Sequence, residues 1–172
     1  MPSEGLSSLL TPSFLNRFHI FDSEFYLANN PDLQSEIAEI EPDRRGIYPY
    51  NHYVSFGAAE RRDPDELFDT QYYLEQPGVT EALADEEFNN DPLLHYIETG
   101  VEAGLNPNSL FDTDYYLEQN PDVAAAEVNP LEHYIIFGAS EGRSPSADFD
   151  PNFYLSQYPD VAAAGVEPLE VI

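Results

Sequence analysis

Apolar and aromatic positions along this chain come in short bursts, each opened by Asp or Asn and closed by Gly or Pro. In residues 111–145, Asp112 precedes Tyr115, Tyr116 and Leu117, which fall within one turn, so its carboxylate suits the free amide hydrogens of a helix start. Asn120-Pro121 repeats the signal, Asn as cap and Pro in the first helical position, ahead of Asp122-Val123-Ala124-Ala125-Ala126. Asn129-Pro130 gives it a third time, and Leu131, Tyr134, Ile135 and Phe137 then form an apolar stripe that ends at Gly138. No useful length alternates with period two. The pattern predicts an all-α fold of about three short helices per unit.

The same sentence is written four times. Phe21-Asp22, Phe68-Asp69, Phe111-Asp112 and Phe149-Asp150 each open an F-D-x-x-[YF]-Y-L string, and His52-Tyr53, His95-Tyr96 and His133-Tyr134 form a second landmark. From each His to the next repeat Asp the spacing is 17 residues every time, whereas from Asp to the His of the same unit it falls from 30 to 26 to 21. The constant interval therefore reads as a packed joint and the variable one as a loop, since loops accept insertions cheaply. Such repeats stack into a compact array or solenoid. The boundaries predicted are a lead-in over 1–19, repeat 1 with an insertion over 20–66, repeat 2 over 67–109, repeat 3 over 110–147 and a half repeat over 148–172, in one cooperative domain.

Gly57, Gly100 and Gly138 each lie five residues after the repeat His, where a left-handed glycine ends a helix. Pro64, Pro107 and Pro145 lie 12 after it and forbid helix continuation. Unit 1 departs by a charged insertion over 34–48. Unit 2 has Gln76-Pro77-Gly78 in place of the Asn-Pro-Asp string, which leaves its middle helix without the Asn cap. In the fourth unit Pro168-Leu169-Glu170 matches Pro130-Leu131-Glu132, but Val171 and Ile172 stand where His and Tyr would follow. The chain thus reads as ending in a half repeat or as a piece of a longer one.

Charge narrows the function classes. Thirty-three acidic side chains face six basic ones, all arginine, for a net charge of -27 in 172 residues. Nucleic-acid binding and attraction to anionic membranes both need cationic side chains and are not expected. Cations and basic proteins are the favoured neighbours. There is no cysteine, so neither a disulfide framework nor a thiolate metal site is available. Residues 1–18 lack the basic and apolar regions of a secretory signal, and no later segment is apolar enough to insert into a membrane.

The strings over 111–126 and 129–145 resemble a repeat module of large cyanobacterial and proteobacterial exoproteins, often adjacent to haemolysin-type calcium-binding repeats and attached to some glycosyltransferases. The likeness covers roughly residues 20–172. It implies a non-catalytic accessory segment of a secreted or cell-surface protein, exported by a signal-peptide-independent type I route, with a cytoplasmic location left open. The haemolysin motif G-G-x-G-x-D is absent, so no calcium ligand is carried over from those repeats.

Candidate chemistry is sparse. The recurrent histidines, one per unit, read as structural, each beside its Tyr and donating to a backbone carbonyl, because a zinc site needs several convergent ligands. Asp22, Asp69, Asp112 and Asp150 are candidate calcium ligands, but no calcium-loop motif surrounds them and helix capping explains them more simply. Glu60 and Glu141 match across two units without forming an acid/base dyad, and no catalytic signature is present. In Tyr72-Tyr73 and Tyr115-Tyr116 adjacent rings point about 100° apart, so one of each pair belongs to the core. The expected function is a non-enzymatic acidic module contacting protein or glycan, without a cofactor unless calcium is one. It also has the potential to self-associate through the incomplete last repeat. The alternatives are an acidic decoy that mimics nucleic-acid charge towards a basic partner and a calcium-responsive module.

Overall fold

In the computed structural model of the chain the described residues are 19–85, 88–165 and 168–171; the lead-in expected over 1–19 lies outside them except for His19. Unit 1 contains α1 (Ser23–Asn29), α2 (Leu33–Glu39) and α3 (Tyr48–His52). Unit 2 contains α4 (Thr70–Glu75), α5 (Val79–Ala82) and α6 (Pro92–His95), and unit 3 contains α7 (Thr113–Gln119), α8 (Pro121–Ala125) and α9 (Pro130–His133). The last unit adds α10 (Pro151–Gln157), α11 (Pro159–Ala164) and a 3-10 turn at Pro168–Val171. The fold is all-α. The only β pairings among the described residues are isolated bridges inside tight turns, such as Asn108 with Phe111.

Aspartate starts the first helix of every unit. The side chains of Asp22, Asp69, Asp112 and Asp150 each accept backbone amide hydrogens in the first turn, at 2.8 Å for Asp69 and 2.9 Å for Asp112. The backbone amides of the first three point the other way and close their unit: Asp22 donates to the Pro64 carbonyl, Asp69 to Pro107 and Asp112 to Pro145, at 3.0, 3.1 and 3.0 Å. A proline two or more residues past a helix thus serves as the acceptor that ties a unit's end to its beginning.

Each complete unit is built on three rings. Phe21, Tyr26 and Tyr53 are repeated by Phe68, Tyr73 and Tyr96 and by Phe111, Tyr116 and Tyr134, all buried. The two tyrosine rings of a unit cross edge to face at 5.8 Å in all three copies, an arrangement that the ring quadrupole favours. The second tyrosine then reaches the next unit, Tyr53 towards Asp91 and Tyr96 towards Thr113, both at 3.4 Å. At the end of the constant His-to-Asp interval, Thr70 donates from its amide to Asp63 and from its hydroxyl to the Arg62 carbonyl, and Thr113 does the same with Asn106 and Leu105, so an inserted residue would break a repeated closure. The variable interval contains α2 and its following turns in unit 1 and α5 with the segment after it in unit 2.

Two sequence expectations are corrected. Gly57, Gly100 and Gly138 are not left-handed. The positive φ falls four residues later, at Arg61 (63°), Gly104 (68°) and Gly142 (67°). There the amide of the next residue returns to the earlier glycine's carbonyl, Arg62 to Gly57, Leu105 to Gly100 and Arg143 to Gly138, each at 2.9 Å, a Schellman closure. The helix that begins with α3, α6 or α9 therefore continues through a wide π turn, Tyr53–Gly57, Tyr96–Gly100 or Tyr134–Gly138, before it ends. Second, Asn120 does not cap α8 with its side chain. Its Nδ2 donates back to the Tyr116 carbonyl at 2.7 Å, finishing α7 instead. Asn129, by contrast, caps α9 as expected, accepting from the Leu131 and Glu132 amides.

Candidate functional site

The recurrent histidines do not donate to a backbone carbonyl as the sequence suggested; each shares a hydrogen bond with the first tyrosine of its own unit. Tyr26 Oη to His52 Nδ1 is 2.9 Å, Tyr73 to His95 is 2.7 Å and Tyr116 to His133 is 2.8 Å. Burial holds the His95 and His133 imidazoles below their ordinary pKa, with the Arg143 charge adding to the effect at His133. Burial also raises the Tyr26, Tyr73 and Tyr116 phenols. In units 2 and 3 both shifts favour a neutral pair in which the phenol donates to Nδ1. Beneath it lies the repeat glycine: a Cβ built at Gly57, Gly100 or Gly138 collides with that tyrosine's hydroxyl oxygen. Glycine is required there for close approach, not for backbone freedom.

A guanidinium brace, missed from sequence, joins the first and last parts of units 1 and 3. Arg143 donates from Nη1 and Nη2 to the two carboxylate oxygens of Asp122 at 3.0 and 2.9 Å, from Nη1 to Asn120 Oδ1 at 2.8 Å and from Nε to Glu141 at 2.6 Å. Arg62 does the same with Asp32, Asn30 and Glu60. Glu60 and Glu141, weighed as an acid/base pair, are thus brace members in separate units. The signal was readable as a co-variation within the chain. Unit 2 replaces the Arg with Leu105, and there Gln76 in place of Asn makes a reciprocal pair with the Asn106 backbone at 2.7 and 2.9 Å.

Most recurrent polar groups are therefore engaged inside the units. Among the described residues, no group of three or more His, Asp or Glu side chains is placed to hold a metal ion, and Asp22, Asp69, Asp112 and Asp150 lie in four separate caps. No helix among the described residues is long and apolar enough to cross a membrane. Among the described residues the most exposed large apolar side chains are aromatic. Phe56 and Phe137, at the same repeat position, are 60% and 54% exposed and lie against their own histidines at 5.6 and 5.7 Å, and Phe153 and Tyr158 are exposed in the last unit. The Tyr pairs divide as expected, Tyr73 and Tyr116 buried and Tyr72 and Tyr115 only half-buried.

In comparisons with protein-family models, curated proteins and solved structures, nothing matches this chain.

Proposed function

We propose that the chain is a non-enzymatic, acidic helical repeat module that makes contacts with protein or glycan in a secreted or cell-surface assembly. One observation carries this reading: the recurrent polar side chains are engaged in building the units, while Phe56 and Phe137 present their rings to solvent at equivalent positions. An exposed aromatic face suits the apolar side of a sugar ring or a peptide side chain. The test is binding to glycan and peptide arrays by the intact chain and by the Phe56→Ala/Phe137→Ala variant. Retained ligands whose signal falls in the variant support the module. Arrays without any retained ligand overturn it.

The net charge of -27 favours a second reading, in which calcium relieves self-repulsion and raises stability. It requires melting in millimolar calcium chloride to exceed melting in sodium chloride of matched ionic strength. Equal curves remove it.

A further inference from the structure

The joint between units 2 and 3 holds a groove of about 620 Å³ on the outer side of the π turn Tyr96–Gly100. Its floor is apolar, formed by the half-buried Ile97, Val101 and Leu117, with Val128 exposed beside them. Its rim is acidic: Glu98, Glu102, Asp114 and Glu127 all line it and all are exposed. Among the described residues, none of these four has a hydrogen-bond or ion-pair partner.

The repeats supply an internal comparison. At the joint between units 1 and 2 the positions of Glu98, Glu102 and Asp114 are taken by Ser55, Ala59 and Gln71. At the joint between units 3 and 4 the four rim positions are Ile136, Ser140, Asn152 and Gly165. The array thus forms without charge at these places, and only one joint concentrates it.

Asn129, the cap of α9, anchors one wall of the groove. It is 5% exposed. Its Oδ1 is committed to the Leu131 and Glu132 amides at 3.0 and 3.1 Å, which fixes the orientation of the amide and leaves Nδ2 as the donor. That Nδ2 is buried without an acceptor.

We propose that this groove binds a cationic amphipathic peptide segment of a partner protein. An apolar side chain of the segment packs on Ile97, Val101 and Leu117, and flanking arginines or lysines pair with the rim carboxylates, a charge complementarity that selects a cationic occupant. The proposal rests on the contact-module reading and names the partner's chemistry.

The experiment is an amide chemical-shift titration of the whole chain with an N-acetylated, C-amidated tetrapeptide of arginine, leucine, leucine and arginine. Shifts are expected over residues 97–102, 114–117 and 124–129. The Glu98→Ser/Glu102→Ala/Asp114→Gln variant, which installs the residues of the first joint at exposed positions, is expected to bind about tenfold more weakly. A peptide with serines in place of the leucines is expected to lose the localised shifts. Shifts scattered over the acidic surface, unchanged affinity in the variant, or equal binding of the serine peptide would each overturn the assignment. Because Phe56 and Phe137 lie outside the groove, a failure here leaves the array experiment, and the module reading it tests, intact.

Discussion

Tyr116 Oη sits 2.8 Å from His133 Nδ1 and directly over the backbone of Gly138, so one hydroxyl oxygen fixes both a hydrogen bond and the absence of a side chain. The two requirements are coupled, and a substitution series separates them. Gly138→Ala places a methyl group against Oη and is expected to cost about 1 to 3 kcal/mol, the usual range for overpacking a filled core. Tyr116→Phe removes the hydroxyl and is expected to cost about 1 kcal/mol through the lost hydrogen bond. The double variant should be more stable than the sum of the two losses implies, because the methyl then enters the space Oη left. Urea unfolding of the four proteins checks this, and strict additivity would show that the glycine answers to something else.

The same pairs set a pH dependence with two limbs. His95 and His133 are held below their ordinary value, near 6.5, in the folded chain. Their contribution is fully present above the unfolded value and is lost as pH falls through the lower folded values, because only the unfolded chain takes up the proton readily. The buried phenols of Tyr26, Tyr73, Tyr96 and Tyr116 are raised above their ordinary value, near 10. Their contribution is present below that value and is lost as pH rises towards the folded ones. Unfolding free energy measured against pH is therefore expected to be flat around pH 8 and to fall on both sides. In His133→Gln the acid limb should be shallower. An acid limb identical in that variant would assign the loss to carboxylates.

Much of this architecture was legible before any coordinates. Asp69, Asp112 and Asp150 announce helix starts because the capping rule is local, depending only on a carboxylate and the amides two or three residues on. The constant spacing from His52, His95 and His133 to the next Asp announced the joint because an inserted residue there would break the closures that Thr70 and Thr113 make with the preceding turn. The role of Gly138 was not legible. Closing a helix and admitting a hydroxyl both call for glycine, and only the tertiary position of Tyr116, 22 residues upstream in sequence, decides between them. Asn120 misled for a related reason: Asn before Pro fits an N-cap, yet its side chain finds the preceding helix's carbonyl and the distant Arg143. The groove's acidic rim was not legible among 33 acidic residues, because only the fold brings Glu98 and Glu102 beside Asp114 and Glu127.

The brace in unit 3 makes a test against unit 2. The Arg143 guanidinium beside Asp122 holds that carboxyl down to about 2. In Arg143→Leu, which copies the residue of unit 2, Asp122 is expected to titrate in the ordinary range near 3.9 when followed by carboxyl carbon shifts. The loss of stability should be small, since Asp122 is exposed and exposed pairs are screened by solvent. A larger loss would mean that Asn120, left without its donor, carries more of unit 3 than the ion pair does.

Arg61 is the one non-glycine residue at the left-handed closure that Gly104 and Gly142 occupy in the other units, with φ of 63°. A Cβ in that conformation is strained against the following carbonyl, while glycine is not. Arg61→Gly is therefore expected to stabilise the chain by about 0.5 to 1 kcal/mol, after subtracting the extra freedom glycine gains when unfolded. The reverse change, Gly142→Ala, should destabilise by more, because its Cβ would also stand 2.9 Å from Asn152 Oδ1, next to the hydrogen bond that Asn152 donates to the Gly142 carbonyl. Thermal unfolding of both variants decides the matter. Destabilisation by Arg61→Gly would show that the arginine side chain contributes more than its backbone strain costs.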